Sequence, residues 1–293
     1  MHYEISTEIK MMACGWMELL HAVVGATNPT YDTAPDDIQQ KGTPEFFYFH
    51  SKKWATRVLL RFFQKHAKKV TYNRNEDNRP FADQWFAQYG GPLIAALIQQ
   101  FAVKTTKKVR YFQLKSLQVL IGERPELVKQ YAEGFQYDVL LSYLRLQPED
   151  EELAQRDPVD FLSKEDEPSV TFTNLKRVAT DVWIGFAELG CKIEKKGQPY
   201  EPGVFFFQNM NYLQGKLEGG QPVEKELAMY LICQLRMPIT RCKQVKQMLP
   251  TLIAKYVVPE FANDIMFLRA RAVDIFTEYG GIELEPEVVR LAV

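Results

Sequence analysis

Four cations recur at helical spacing early in this chain: Lys53, Arg57, Arg61 and Lys65. Residues four apart share one face of a helix, so the row would raise a ridge of positive potential. No Asp or Glu occurs between Phe46 and Asn75 to offset it. Further on, residues 147–168 read QPEDEELAQRDPVDFLSKEDEP, with nine acidic residues against two basic ones. Glu149, Asp150, Glu151, Glu152 and Asp157 concentrate that charge. The chemistry open to both sets is electrostatic: attracting and steering partners of opposite sign. The cation row suits an acidic protein or a phosphate, and equally an ordinary solvated helix face. The acidic stretch suits a basic partner, and equally a solubilising insertion.

Bond-making chemistry finds no comparable support. Asp150 and Glu151 could serve as a catalytic carboxylate pair only in a pocket that splits their pKa values, and a proline-broken acidic loop offers none. His21, His50 and His66 have no Ser, Cys or acidic partner at usable spacing. There is no GxSxG, no phosphate-binding GxxxxGK and no HExxH. The four cysteines, at 14, 191, 233 and 242, form no CxxC, and no His stands at ligand spacing from another. We expect no metal, no cofactor and no enzyme, and read the thiols as reduced and scattered.

The elements that carry the charged residues are helical. Strand signals are nearly absent, with no sustained period-two alternation. The clearest pair is 249–281. Leu249, Leu252, Ile253, Tyr256 and Val257 form one apolar face, Pro259 stops the helix, and Ile265, Leu268, Ala272, Ile275, Phe276 and Tyr279 form the next stripe. Gly280 and Gly281 close it, and Arg269 and Arg271 flank the stripe after Asp264, a spacing at which aspartate and arginine can pair across stacked repeats as a structural ladder, partner contacts being the alternative. A helix pair of this kind cannot bury both faces alone, so neighbours of the same kind are implied.

The rest of the chain repeats the pattern. Residues 1–26 predict a helix with Ile9, Met12, Ala13, Trp16, Leu19, Leu20 and Val23 on its apolar side. Residues 46–69 predict one with Trp54, Val58 and Phe62 as an apolar row, widened by Ala55, Leu59 and Phe63. Further helices are expected over 81–104, kinked at Gly90-Gly91-Pro92, and over 105–121, 126–146, 170–190, 204–217 and 223–237. Residues 147–168 are expected to be an acidic loop, because three prolines interrupt them. Trp16, Trp54 and Trp183 are expected in the core. The fold expected is all-α, an α-solenoid of HEAT-type antiparallel helix pairs, a superhelix of about five pairs over residues 1–293. Length (293 residues), an apolar share of 46% and a net charge of −1 fit such an array, and announce neither nucleic acid nor membrane. No signal peptide or long apolar span is read, and a soluble intracellular protein is expected.

Four stretches carry a family resemblance. GWMELLHAVV precedes a polar loop. FFYFHSKKWATRVLLRFF holds Phe47, Lys52, Lys53, Trp54 and Ala55. EDEELAQRDPVDFL holds Glu149 to Leu153 and the Asp157-Pro158 step. VVPEFANDIMFLRARAVDIF holds Arg269 to Ala272. Their order resembles the importin-β superfamily of nuclear transport receptors, in the branch of importin seven and importin eight. The resemblance implies protein cargo, the GTPase Ran and nucleoporins with Phe-Gly repeats as partners, with shuttling between nucleus and cytoplasm. It implies no membrane and no direct nucleic-acid binding. It also implies that second helices, including the one bearing Lys53, line a concave surface. Asp160-Phe161-Leu162 departs from the family's acidic-aromatic-isoleucine step, and residues 72–135 show little family identity. The family's amino-terminal repeats, which supply its main Ran contact, have no counterpart here. The chain resembles a central piece of a longer receptor, and the alternative is a HEAT scaffold for a phosphatase, coat or chromatin complex.

Overall fold

The computed structural model describes residues 7–31, 41–68, 79–166, 174–192 and 200–280. The fold is all-α, with helices packed on their neighbours as in an α-solenoid of helix pairs. Among the described residues there is no strand, only a single antiparallel bridge between Lys192 and Glu201. The chain divides into two compact units: residues 1–135 with 169–178, and residues 136–168 with 179–293.

In the first unit, α1 (Thr7–Gly25) packs on α2 (Pro44–His66), and α2 lies along α5 (Lys107–Glu123). Thr43 starts α2 by accepting from the Phe46 N–H at 3.2 Å, with Pro44 in the first turn. Thr106 caps α5 in the same way. Between them, residues 79–102 stay helical throughout. α3 (Arg79–Trp85) runs through a π turn, Phe86–Gly90, into α4 (Gly91–Gln99) and a closing 3-10 turn. The kink expected at Gly90-Gly91-Pro92 is thus absorbed by the wider turn, with Pro92 in the first turn of α4. Leu59, Phe63, Ile94, Leu97, Leu114, Leu117 and Leu120 form the dry centre, each worth roughly 1.5–3 kcal/mol of transfer free energy.

A polar layer crosses that core. Lys52 is buried and donates to Gln100 Oε1 at 2.7 Å, and Gln100 Nε2 reaches the Gly25 carbonyl at 3.1 Å. Arg110, also buried, donates to the carbonyls of Gln100 and Val103 and to Gln113 Oε1. Burial without such partners would cost several kcal/mol for each cation. The layer therefore fixes α1, α2, α4 and α5 in one register.

The helix expected over 126–146 is a chain of short pieces across residues 125–144. They are α6 (Pro125–Val128), a 3-10 turn, α7 (Ala132–Gly134), a π turn at Phe135–Leu140 and α8 (Leu141–Leu144).

In the second unit, α9 (Pro148–Arg156) and α10 (Pro158–Asp166) form a short hairpin. α11 (Leu175–Ala187) precedes α12 (Val204–Glu218), α13 (Pro222–Gln234), α14 (Arg236–Arg241) and α15 (Lys243–Leu252), and α16 (Met266–Glu278) follows. Helix α13 is central: Glu226 through Cys233 are all buried, and it packs on both α12 and α16. Trp183 and Phe186 of α11 are fully buried, and Thr180 Oγ1 meets Tyr230 Oη at 2.7 Å. Gly203 closes the link before α12, where an added Cβ would lie 2.7 Å from the Leu189 carbonyl oxygen.

The 249–281 pair is present with the expected faces: Leu249, Ile253 and Val257 are buried on one side, and Leu268, Ala272, Ile275 and Tyr279 on the other. α15 runs through a π turn (Ile253–Val257) and a 3-10 turn (Val258–Ala262) across Pro259. Both arginines have structural partners. Arg269 bonds the Asn263 carbonyl at 2.9 Å, not Asp264, which is exposed. Arg271 is 1% exposed and donates from Nε and Nη2 to Glu226 Oε1 at 3.0 and 2.7 Å, and from Nη1 to Asp274 at 2.8 Å.

The acidic segment 147–168 is not a loop over its described part. Prolines 148 and 158 sit in first turns, where the missing N–H costs nothing. Asp150 and Gln147 form a capping box, and Asp157 Oδ1 accepts from the N–H groups of Val159 and Asp160 at 3.1 and 2.9 Å. Leu153, Ala154 and Phe161 are buried, and both helices pack on α16. Phe161 lies under the Arg271 guanidinium, 5.5 Å from ring centroid to Cζ.

Replacing Arg271 with Ala removes two charge-assisted hydrogen bonds from the buried Glu226. The second unit should lose about 3–5 kcal/mol, the scale of a broken buried pair, seen as a lower urea midpoint for its tryptophan Trp183 in single-tryptophan variants. An unchanged midpoint would mean that the pair is not structural.

Candidate partner-binding surfaces

Helix α2 turns Phe49, Lys52, Ala55, Thr56, Leu59, Leu60 and Phe63 inward. Its outer stripe runs Phe47, Trp54, Val58, Arg61 and Lys65, all exposed. Trp54 and Val58 are therefore not core, and Trp16 on α1 is exposed as well. Of the expected face, Ala55, Leu59 and Phe63 are buried, while Trp54 and Val58 lie outside, because the buried polar residues Lys52 and Thr56 turn the inner face away from them. Phe62 is half-buried and contacts Trp85 at 4.3 Å between centroids, and on α1 the buried positions are Met17, Leu20 and Val24. Ile9, Met12 and Ala13 lie outside the residues whose side chains are described. Trp183 is fully buried as expected, as is Trp85, whose role the spacing did not reveal.

Lys53 and Arg57 are half-buried beside the exposed stripe. The Lys53 ammonium lies 5.1 Å from the Trp54 ring centroid, and the Arg57 guanidinium carbon 5.0 Å. Both fall within the range of cation–π attraction. The indole N–H donates to His50 Nε2 at 2.7 Å. Partial burial, then the neighbouring Lys108 and Arg57 charges, hold Lys53 below the ordinary lysine pKa. Among the described residues, Lys53, Arg57, Arg61, Lys65 and Lys108 make no ion pair with a carboxylate. The row is thus positive, uncompensated and interleaved with apolar side chains.

The acidic residues occupy the α9–α10 hairpin of the other unit. Glu149, Glu152 and Asp157 are exposed, and Glu151 is half-exposed. Asp150 bonds Lys164 at 3.0 Å and caps α9, and Asp157 caps α10. Glu149, Asp150 and Glu151 fill the first turn of α9, where the helix dipole favours anions. Two of the five carboxylates therefore have structural work, while Glu149 and Glu152 remain free for a partner. A docked hairpin presents this charge in fixed geometry.

Two open grooves lie between helices. One, of about 390 Å³, is lined by Tyr212, Lys216, Gln221 and Glu224. The other, of about 430 Å³, is lined by Gln64, Lys68, Gln118 and Glu123. In the first, Glu224 is bracketed by Lys216 at 2.6 Å and Arg145 at 2.8 Å, an arrangement of neutralised charges rather than of a reacting pair. Among the described residues no cluster of His, Cys, Asp or Glu could hold a metal ion, and no helix is long and apolar enough to cross a membrane. Cys191, Cys233 and Cys242 are free thiols.

The chain is similar to Importin-8 of Danio rerio, with 21% identity over 300 residues, covering 94% of this chain and 27% of that protein. It is similar to Importin-8 of Mus musculus (21% over 294 residues, 93% and 26%) and of Homo sapiens (20% over 292 residues, 93% and 26%). The relationship is importin-like and distant. The chain spans about a quarter of the length of the curated relatives it matches. No family model matches the sequence, and no solved structure matches it. The similarity extends across both charged surfaces, since it covers more than nine-tenths of the chain.

With its pKa depressed, Lys53 holds more neutral amine at a given pH than an ordinary lysine. It should be acylated faster than Lys65 in competitive labelling at mildly alkaline pH. Lys108→Ala and Arg57→Ala should each slow it, because removing a like charge raises the pKa. An unchanged Lys53 rate in both variants would show that the neighbouring charges do not hold its pKa down.

Proposed function

We propose that this chain is a segment of a nuclear transport receptor of the importin seven and importin eight branch. In this reading it binds protein cargo and the GTPase Ran during import, and it passes the pore through nucleoporins with Phe-Gly repeats, shuttling between nucleus and cytoplasm. The carrying observation is similarity to Importin-8 that runs nearly end to end along this chain, on a fold built of stacked helix pairs. The two charged surfaces fit the reading. Glu149, Asp150, Glu151, Glu152 and Asp157 offer fixed negative charge to basic residues of Ran or cargo. Lys53, Arg57, Arg61 and Lys65 offer the opposite sign to acidic cargo. Clustered like charges on a low-dielectric wall focus the field and speed encounter with an opposite partner.

The test is binding of the intact receptor that carries this segment to purified Ran loaded with GTP or GDP. A transport receptor prefers the GTP form, and Ran and cargo lower each other's affinity by one shared factor. Changing the exposed Glu149 and Glu152 to Gln should weaken Ran or cargo binding at low salt and leave helical content unchanged. Absence of any affinity of the intact receptor for Ran would move the reading to a HEAT scaffold.

A further inference from the structure

The outer face of α2 carries more than charge. Phe47 is 57% exposed, Trp54 45% and Val58 47%, and all three fall on one stripe that continues into Arg61 and Lys65. Three large apolar side chains in a row on a solvated helix are unusual, because solvent-facing positions ordinarily carry polar groups. Trp54 is held in place. Its N–H is bonded to His50, and Lys53 and Arg57 sit about 5 Å from its ring centroid. An aromatic side chain fixed in one orientation has little rotamer entropy left to lose on binding, the property of an anchor residue at an interface. The cations that fix it have no carboxylate partner of their own among the described residues.

We propose that this face docks an acidic segment of a partner protein in which carboxylates alternate with large apolar side chains. The carboxylates would meet Lys53, Arg57 and Arg61, and the apolar side chains would cover Phe47, Trp54 and Val58. Charge decides the sign of the partner, and the interleaved apolar residues decide that charge alone does not suffice. A single-stranded nucleic acid fits less well. Base stacking needs an open aromatic face, whereas cations already contact the Trp54 ring. The inference rests on reading the chain as a protein-binding array, and it does not require the partner to be Ran or a transport cargo.

The experiment uses the full chain and three fluorescent probes: a synthetic peptide alternating Glu and Asp with Leu and Phe, a peptide of Glu and Asp alone, and single-stranded DNA. The mixed peptide should bind at least about tenfold more tightly than the purely acidic one, a difference of about 1.4 kcal/mol, and its affinity should fall as salt rises. Trp54→Ala and Arg57→Glu should each weaken it about tenfold, with helical content unchanged by circular dichroism. Trp54→Phe should keep most of the affinity, which separates lost contact from lost folding. Equal binding of the two peptides, insensitivity to Trp54→Ala, or tighter binding of the DNA would each overturn the proposal. Those results leave the Ran test untouched, so failure here is separable from failure of the transport reading.

Discussion

A cation in a dry interior must bring its partners with it, and that constraint sets the second unit. The Arg271 guanidinium is almost fully buried and would be prohibitive alone. Glu226 of α13 and Asp274 of α16 neutralise it, and the Tyr230 and Phe161 rings cover it at 4.9 and 5.5 Å. Each partner comes from a different turn or helix, so one side chain fixes α13, α16 and α10 together. Exchanging the pair for apolar residues of similar volume could be as stable. What the pair adds is a tie between α13 and α16 at one point, where Glu226 and Asp274 meet the same guanidinium. The first unit repeats the device with Lys52 and Arg110, tied through Gln100 to the ends of α1 and α4.

The consequence for function lies at the surface. Because Phe161 is pinned under Arg271, the acidic hairpin cannot behave as a tethered loop. Its carboxylates are held on short capped helices at the cost of some self-repulsion, which Lys164 and the helix dipole partly offset. Pre-ordered charge loses less entropy on binding than a mobile chain would. The same logic applies to α2, where inward Lys52 and Thr56 leave Trp54 and Val58 outside. Buried polar groups on the inner face and exposed apolar groups on the outer face are two sides of one registration.

The helix pairs were legible in the sequence because their apolar stripes recur at helical spacing, as at Leu249, Ile253 and Val257. What misled was residue type. Trp54 and Val58 read as core by hydrophobicity, while Lys52 and Thr56 read as surface by polarity, and tertiary bonding reversed both. Prolines 148, 158 and 259 read as breakers. The first two start helices, where an N–H is not needed, and the third lies within a 3-10 turn. The charged residues themselves were found by composition alone. Their surroundings were not, since the pairing of Asp150 with Lys164, or of Arg271 with Glu226, depends on contacts between distant segments.

The account turns on the acidic stretch being an ordered hairpin fastened by a buried cation. Hydrogen exchange along residues 148–166, followed by mass spectrometry on the intact chain, reads this directly. The account predicts amides of α9 and α10 protected well beyond unstructured rates, and faster exchange in both helices and in α16 when Phe161 is changed to Ala. Exchange of 148–166 at unstructured rates, while α13 and α16 stay protected, would contradict it.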